Sequence, residues 1–408
     1  MKNAFLTFLL LFIGCSNSHK EYTIEEFMDI TSFGGSSFSY DEKTVLIRSN
    51  ESGINNAFEI DLKTRNSKQL TFSDSNSIYP ISYFPNDKRF LFRADQGGNE
   101  IWHIYLFNSD GTAIDLTPGK QSRSLFLKWA HDKKSFYYTS NKRNPKYMDL
   151  YEMSIDSFKS TLVFQNDDAL NIGDISKNKR YLALSKTYTR DNSDLYLFNF
   201  DTKILTKILF KESDVNHSPS GFSTDSGTLY FVTDQDSEFR YLKKYNIDSG
   251  KVEIVQRESW DIVANYFSES GKYRITAINK DSQTEIKILD TSSDKLLNLP
   301  KMPSGNISSV NISHSESLIT FYHGSSQSPA NLYYYRVGSR KPVRLTDSMN
   351  PLIDQEHLGK AEIIRYKSFD GLEIPAIYYK PPQASQANKV PALVRVHGGP
   401  GGQARVGY

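Results

Sequence analysis

The stretch FSYDEKTVLIRS, residues 38–49, joins a polar turn to a run of apolar and β-branched residues, and similar stretches recur along the chain. The six others are FPNDKRFLFRA at 84, WAHDKKSFYYTS at 129, ISKNKRYLALSK at 175, FSTDSGTLYFVT at 222, FSESGKYRITAI at 267 and ISHSESLITFYH at 312. The second residue of each stretch follows that of the preceding one after 46, 45, 46, 47, 45 and 45 residues. A regular period of this length indicates a repeat architecture of seven units.

The rest of each repeat is also rich in strand-forming sequence. A second aromatic-rich run follows the first, as in EIWHIYLF (100–107), DLYLFNF (194–200) and NLYYYRV (331–337). In several units a further run ends in Leu-Thr, as at Leu345 and Thr346. Short runs bounded by Asp, Asn, Ser and Gly are typical of antiparallel strands, and four strands in about 45 residues make one propeller blade. The sequence therefore predicts a mainly β protein, with a seven-bladed β-propeller over residues 33–347.

Residues 16–32 precede the first repeat and are too few for another blade. They contain TIEEFMDI, in which Thr23 and Glu26 have the spacing of a capping box. In that motif each of the two side chains accepts a hydrogen bond from the backbone N–H of the other residue, at the start of a helix. We expect a short helix that lies as a clasp beside the propeller or beside the domain that follows it.

The repeat pattern is lost after Asp347, and residues 348–362 read as a polar linker. Beyond the linker, two strand-like runs flank the pair Asp370-Gly371, which is a signal for a tight hairpin turn. The run PALVRVH (391–397) is uninterrupted and apolar, which is typical of a strand buried on both faces of an α/β sheet. Residues 363–408 are therefore predicted to be the beginning of an α/β domain, truncated after its first strands.

The apolar run ends in the loop HGGPGG, residues 397–402. Gly398 and Gly399 let the backbone come close to a ligand, and α/β hydrolases place oxyanion-binding N–H groups in a glycine turn of this kind. Gly399, together with Gly398, is the oxyanion-hole candidate, and the alternative is a structural turn that needs glycine dihedrals. His397 is expected to support this turn, because the catalytic histidine of such enzymes follows the nucleophile in the chain.

The N-terminus has the pattern of an export signal. Lys2 supplies a positive charge, and the apolar run Ala4–Ile13 has half of the roughly 20 residues that a membrane-spanning helix needs. A glycine then precedes Cys15, which resembles a bacterial lipoprotein cleavage site, although Phe12 stands where leucine is usual. We expect residues 1–15 to be a lipoprotein signal peptide and a lipid on Cys15 to hold the protein at a membrane of the bacterial cell envelope, in the periplasm or at the outer membrane. An ordinary signal peptide with an incidental cysteine is the alternative.

Composition argues against several classes of function. Lys and Arg number 49 against 47 Asp and Glu, and no basic stripe with interleaved aromatics is present, so nucleic acid is not an expected partner. Cys15 is the only cysteine, which leaves no disulfide and no cysteine-ligated metal site. The histidines lack metal-binding spacing, so neither a metal nor a cofactor is predicted. Seven histidines are expected on surfaces and blade edges: His19, His103, His131, His217, His314, His323 and His357.

A signal-bearing seven-bladed propeller followed by SFDGLEIPAIYYKP (368–381) and VRVHGGPGGQ (394–403) resembles the prolyl oligopeptidase family of serine peptidases. Its bacterial members of the acylaminoacyl-peptidase and dipeptidyl-peptidase-like kind are the most similar. The resemblance covers essentially all of the chain after the signal. It implies an α/β-hydrolase domain with a Ser-Asp-His triad, a propeller that covers the active site, and short or unfolded peptides as substrates. It also implies that Gly399 is an oxyanion donor.

The nucleophile elbow G-x-S-x-G has no match in the chain. Gly34-Gly35-Ser36-Ser37 comes nearest but lacks the closing glycine, and the repeated serines are explained as turn residues that bond their own backbone. Loss of a triad nucleophile costs a factor of roughly 10⁶ in rate, whereas one oxyanion donor contributes about 10² to 10³. We therefore expect an N-terminal part of a longer peptidase, with the triad downstream of Tyr408 and no activity in this part alone.

Two other interpretations stay open. A periplasmic binding propeller similar to that of the Tol system would explain the blades but not residues 363–408. A proline iminopeptidase also carries H-G-G-P-G, but that family has a helical cap inserted later in the hydrolase domain rather than a propeller before it. Acidic side chains of the blades, such as Glu152, Asp225 and Glu269, fit a peptide anchor and a solvated turn equally well.

Overall fold

The computed structural model describes residues 20–209, 214–399 and 401–408. The predicted signal peptide over residues 1–15 and the predicted lipidation site Cys15 lie outside these described residues. Within them, no helix has both the length and the apolar character needed to cross a bilayer.

Seven four-stranded antiparallel sheets, each built from four consecutive strands, form the blades of a propeller. The first three blades contain β1 (Phe33–Phe38), β2 (Thr44–Ser49), β3 (Asn56–Asp61), β4 (Ser67–Gln69), β5 (Tyr79–Tyr83), β6 (Phe90–Ala94), β7 (His103–Phe107), β8 (Ala113–Asp115), β9 (Ser124–Trp129), β10 (Ser135–Ser140), β11 (Asp149–Ser154) and β12 (Ser160–Phe164). The fourth and fifth contain β13 (Asn171–Ile175), β14 (Tyr181–Thr189), β15 (Asn192–Asn199), β16 (Ile204–Lys207), β17 (His217–Phe222), β18 (Thr228–Thr233), β19 (Tyr241–Asn246) and β20 (Val252–Gln256). The sixth and seventh contain β21 (Asp261–Phe267), β22 (Tyr273–Lys280), β23 (Gln283–Asp290), β24 (Lys295–Leu296), β25 (Asn306–Ile312), β26 (Leu318–Ser325), β27 (Ser328–Arg336) and β28 (Val343–Arg344). The predicted seven-bladed propeller is confirmed.

The repeated polar stretch is the turn between the first and second strands of each blade. Its serine accepts a hydrogen bond from the backbone five residues later, as from Thr44 N to Ser39 Oγ (3.1 Å) and from Tyr181 N to Ser176 Oγ (2.9 Å). The third residue after the serine position has a positive φ in six blades, at Glu42, Lys133, Lys179, Ser226, Gly271 and Glu316. The interpretation of the repeated serines as turn residues is confirmed.

The Leu-Thr endings have a structural role as well. Thr71 and Thr346 follow the short fourth strands of their blades, and each Oγ1 accepts a hydrogen bond from a backbone N–H of the neighbouring third strand. The distances are 2.8 Å from Ala57 N and 2.9 Å from Leu332 N. The threonine therefore satisfies a buried backbone donor close to the point where the fourth strand has ended.

Seven apolar clusters hold the ring together, one between each pair of neighbouring blades. The cluster between the first and seventh blades packs Val45 and Ile47 against Leu318 and Leu332. Because every sheet takes four consecutive strands, no strand is shared across this junction, and packing of side chains together with hydrogen bonds such as Tyr322 Oη to Gly35 O (2.7 Å) closes the ring.

The short helix α1 (Ile24–Met28) begins at the predicted capping box. Glu26 N donates to Thr23 Oγ1 at 3.1 Å, and Thr23 N donates to Glu26 Oε2 at 2.8 Å, so this prediction is confirmed. The helix is fastened to the linker after the propeller, where Asn350 Nδ2 donates to Glu26 O at 2.9 Å. The N-terminal segment thus ties together the two ends of the ring.

After the linker, β29 (Ala361–Lys367) and β30 (Glu373–Tyr379) form an antiparallel hairpin. Its turn contains Gly371 with φ at +87°, a conformation that favours glycine, as the Asp-Gly signal predicts. The linker itself contains one 3₁₀ turn, Gln355–His357.

The strand expected over residues 391–397 does not form in this chain, and its apolar side chains are exposed, as expected where the rest of the sheet is missing. The structure has no regular secondary structure there, and Leu393 and Val396 are 95% and 83% exposed. A strand needs a neighbour to satisfy its backbone N–H and C=O groups, and among the described residues no strand lies beside this segment. The apolar pattern is present without the sheet that would bury it.

Two histidines also depart from the prediction that they lie on surfaces and blade edges. His217 at the start of β17 and His323 in β26 are only 2% and 7% exposed. His323 is accommodated because its Nε2 lies 3.0 Å from the backbone oxygen of Pro303. His217 packs edge-on against the ring of Phe231, at 5.9 Å between the ring centres.

Candidate functional site

The first strands of all seven blades surround a central cavity of about 770 Å³. This volume lies within the range of about 300 to 1,000 Å³ that is usual for ligand sites. The sequence repeat explains the arrangement, because the same strand of each unit faces the axis.

The two mouths of the cavity can be told apart by what contacts them. At one end, the turn between β22 and β23 contacts the C-terminal segment: Arg365 Nη2 donates to Asp281 Oδ1 at 2.6 Å, and Val406 N to Ser282 O at 3.2 Å. We call this end the near mouth. The turns between the first and second strands lie at the opposite end of the antiparallel sheets, which we call the far mouth.

A charged network crosses the far mouth. Glu269, in the sixth blade, accepts from Lys133 Nζ at 2.9 Å through Oε1 and is 2.6 Å from His314 Nδ1 through Oε2. Lys177 Nζ donates to the backbone oxygen of Glu269 at 2.6 Å. These residues come from the third, fourth, sixth and seventh blades, so the contacts join blades that are not neighbours. The network narrows the far mouth.

Electrostatics favour the ionised form of Glu269 in this network. Burial acts to raise the pKa of Glu269, but hydrogen bonds from His314 and Lys133 and the charge of Lys133 outweigh it and hold that pKa below its usual value. Burial lowers the pKa of Lys177. The carboxylate of Glu269 is therefore ionised at neutral pH and can pair with the ammonium group of Lys133.

Polar groups within the cavity are paired with each other. Lys128 Nζ lies 2.5 Å from Asp174 Oδ1, and Asp174 Oδ2 accepts from Phe222 N at 3.2 Å. Trp129 Nε1 donates to Ser82 Oγ at 3.1 Å. These contacts connect the first strands of neighbouring blades. The wall of the cavity therefore carries charged side chains and hydrogen-bonding groups.

The sequence did not decide whether Glu152, Asp225 and Glu269 anchor a peptide or lie in solvated turns. Of these three, Glu269 alone belongs to the network at the far mouth. Glu152 pairs with Lys179 at 2.9 Å and accepts from Ser135 Oγ at 2.5 Å, which ties neighbouring blades together. Asp225 accepts from Ser223 Oγ at 2.5 Å within its own turn. The solvated-turn interpretation fits Asp225, whereas Glu152 is part of an inter-blade contact.

Sequence reasoning missed Lys133, Lys177 and His314 as parts of one cluster. A signal was nevertheless present in the repeat. Counted from the second residue of each stretch, Lys177, Glu269 and His314 all stand one place later and Lys133 three places later. Aligning the seven turns places these four residues at the same mouth of the propeller.

The predicted oxyanion residues lie at the other end of the molecule. Gly399 has φ at +82°, and among the described residues no atom outside the adjacent residues lies within 4 Å of the position that a Cβ on Gly398 or Gly399 would take. The guanidinium of Arg190, in the turn between β14 and β15, donates to the backbone oxygen of Gly401. The glycine loop is thus held at the near mouth, open and exposed. His397 contacts this loop, with its Nδ1 at 3.3 Å from Gly398 O.

No group of three or more His, Cys, Asp or Glu side chains within the described ranges is placed to hold a metal ion.

Comparisons with known proteins agree with this architecture. Dipeptidyl aminopeptidase BIII from Pseudoxanthomonas mexicana is 25% identical over 350 residues, which cover 81% of this chain and 49% of that relative. Prolyl endopeptidase from Elizabethkingia meningoseptica is 22% identical over 361 residues, covering 80% and 48%. The chain thus spans about half the length of these curated relatives. The solved structure of prolyl oligopeptidase B from Galerina marginata superposes with a TM-score of 0.65 at 12% identity, over 86% of this chain and 56% of that one, and shares the fold.

The match to a family model is the most specific of these findings. The model of the prolyl oligopeptidase N-terminal β-propeller domain matches residues 73–347, from the end of the first blade to the end of the seventh. That span is more than half of the 408 residues. The chain therefore belongs to the prolyl oligopeptidase family and contains that family's N-terminal propeller.

Proposed function

We propose that this chain is the propeller and the beginning of the catalytic domain of a serine peptidase that hydrolyses short peptides. The observation that carries the proposal is the family match over residues 73–347, combined with a chain that spans about half of its peptidase relatives. In the proposed enzyme, the Ser-Asp-His triad lies in sequence that continues the hydrolase domain after Tyr408.

The propeller restricts which peptides reach the catalytic centre. A cavity of about 770 Å³ accepts a short extended peptide but not a folded protein. The Lys133–Glu269 ion pair, with His314, stands across the far mouth and limits access from that side. This geometry supports the proposal that substrates are selected by size.

Gly399, with Gly398, supplies backbone N–H groups to the oxyanion of the tetrahedral intermediate. The support for this role is the exposed glycine loop at the near mouth, with φ of Gly399 in a region that side chains disfavour and with open space around it. One such donor contributes a factor of about 10² to 10³ in rate, whereas the triad nucleophile contributes roughly 10⁶. Residues 20–408 alone are therefore expected to show no peptidase activity.

Residues 1–15 export the protein, and a lipid on Cys15 anchors it in the bacterial cell envelope. The charged, apolar and cysteine-terminated pattern of this segment supports the proposal. Metabolic labelling with a radioactive fatty acid is expected to label the protein, and Cys15→Ala is expected to abolish the label. An unlabelled wild-type protein in the envelope fraction would instead favour an ordinary signal peptide.

The test of the peptidase is to read the DNA past Tyr408 and to assay the extended protein. We expect a G-x-S-x-G motif within about 150 residues, a length typical of one domain. The extended protein should cleave dipeptidyl or N-acylated chromogenic peptides, and replacing the elbow serine with alanine should remove the activity. A genuine stop codon after Tyr408 with no such motif in any frame would overturn the proposal.

A further inference from the structure

A second, smaller pocket of about 290 Å³ lies between the first three blades. Arg48 and Arg93 line it, and both stand near the ends of second strands, β2 and β6. Those ends point to the turns between second and third strands, so the pocket opens at the near mouth. It is thus on the side of the propeller that faces the C-terminal segment.

Aromatic rings hold both guanidiniums in place. The Cζ atoms of Arg48 and Arg93 lie 5.7 and 5.6 Å from the ring centre of Tyr79, which stands between them. Arg93 also lies 5.0 Å from the ring of Trp102, and Arg48 Nη1 donates to Asn55 Oδ1 at 2.9 Å. Such stacking orients a guanidinium but does not neutralise its charge.

The motif Gly34-Gly35 makes room for this arrangement. The pairing of β1 with β2 is interrupted by a bulge between Gly34 and Ser37. A Cβ on Gly34 would come within 2.8 Å of Arg48 Cζ, so the guanidinium of Arg48 lies directly over this glycine. The glycine pair that fails to match a nucleophile elbow therefore has a different structural consequence: Gly34 leaves room for the guanidinium of Arg48, and Gly35 lines the pocket.

The two arginines lack the acidic partner that several other arginines have. Five arginines pair with an aspartate: Arg89, Arg143, Arg180, Arg344 and Arg365. Within the described ranges, no ion pair with Asp or Glu is formed by Arg48 or by Arg93, and no acidic side chain lines the pocket. Two positive charges therefore face one small pocket without a negative partner.

We propose that Arg48 and Arg93 form a carboxylate-binding subsite for peptide substrates. This inference rests on the proposed peptidase function and adds a substrate class to it: peptides with a carboxylate that reaches this pocket, from an acidic side chain or from the C-terminus. Arginine binds carboxylates through two parallel N–H donors, and the apolar walls formed by Ile81, Leu125 and Phe126 strengthen the interaction by excluding water.

The test is equilibrium binding to residues 20–408, so it does not require catalysis. Isothermal titration would compare acetyl-Ala-Glu-Ala-amide with acetyl-Ala-Gln-Ala-amide, and acetyl-Ala-Ala-Ala carboxylate with its amide. At low salt we expect at least one carboxylate peptide to bind about tenfold or more tightly than its uncharged partner, since hydrogen bonds to charged groups exceed neutral ones. The first pair reports a side-chain carboxylate and the second a C-terminal one.

Single substitutions then test whether the two arginines cause the preference for carboxylate peptides. Arg48→Gln and Arg93→Gln should each remove most of it, whereas Arg340→Gln, an exposed arginine with no ion pair in the described chain, should leave it unchanged. Gly34→Ala should weaken the preference by displacing the guanidinium of Arg48, and the thermal midpoint should stay close to that of the wild type because that side chain can move.

Equal binding of charged and uncharged peptides by the wild type would overturn the subsite, as would carboxylate preference that survives in both Arg48→Gln and Arg93→Gln. These outcomes are separate from failure of the peptidase proposal. An extended protein without peptidase activity would remove the proposed function, and the binding data would then stand as a property of the propeller.

Discussion

The blades and the segment after the hairpin contain similar apolar residues but differ in what surrounds them. Leu150, in β11, is completely buried between the third and fourth blades, whereas Leu393 is 95% exposed. Each blade has a neighbour on both sides because the repeat supplies seven copies of one unit. Residues 391–397 have no described strand beside them. Apolar sequence becomes buried structure only where the chain provides the partner.

The largest expected effect is in limited proteolysis. Trypsin should cut after Lys389 and Arg395 in the exposed segment long before it cuts within the strands of the blades, because cleavage needs a locally unfolded backbone. Mass spectrometry of a digestion time course identifies the order of the cuts. The chain unfolded in urea is the control, in which this order should disappear. A tail that outlasts the blades would contradict the contrast between the two regions.

The same substitution in both regions sharpens the contrast. Leu150→Ala should lower the free energy of unfolding by about 2 to 5 kcal/mol, because it opens a cavity in the core between two blades. Leu393→Ala should change it by about 0.5 kcal/mol or less, because this leucine is exposed in the folded chain. Urea denaturation followed by circular dichroism measures both values. Similar losses for the two variants would show that Leu393 is packed.

A smaller effect is expected at the Leu-Thr ending of the seventh blade. Thr346→Val should cost about 1 to 3 kcal/mol of unfolding free energy, because the buried N–H of Leu332 loses its acceptor. Thr202→Val, at an exposed turn, is the matched control and should be close to neutral. If urea denaturation gives equal values for the two variants, the threonine is not needed to satisfy the third strand.

The smallest effect is a pH dependence from His323. Burial lowers its pKa in the folded protein below the ordinary value of 6.5. The unfolded chain therefore takes up this proton first as the pH falls below about 6.5, and the folded state loses stability until its own lower pKa is passed. His323→Gln should reduce the decrease in urea midpoint between about pH 7.5 and about pH 5.5. An unchanged decrease would assign the pH dependence to other groups.

Most of the fold could be predicted from the sequence because the repeat is long and regular. The spacing of the polar turns gives the number of blades, and local signals give the capping box at Thr23 and the hairpin turn at Gly371. Whether residues 391–397 form a strand could not be predicted from such local signals, because an apolar pattern does not reveal whether a neighbouring strand is present. Long-range pairing decides that point.

The candidate site was less predictable, because it depends on contacts between distant repeats. In the sequence, Glu269 cannot be distinguished from an ordinary turn residue. Only the closed ring of blades places Lys133 and His314 beside it. The pocket at the near mouth depends on a bulge at Gly34 and on a ring, Tyr79, that belongs to the next blade. The glycine loop at Gly398 and Gly399 could be singled out because its signal is local.

Hydrogen–deuterium exchange tests the central proposal most directly, namely that residues 391–397 become a strand of a peptidase sheet in a longer protein. In residues 20–408, the amides of this segment should exchange within seconds, while those of β2 and β10 stay protected. In a protein extended through the peptidase domain, the segment should become as protected as the blades. Exchange that is equally fast in both proteins would contradict the account, and so would a protected segment in residues 20–408 alone.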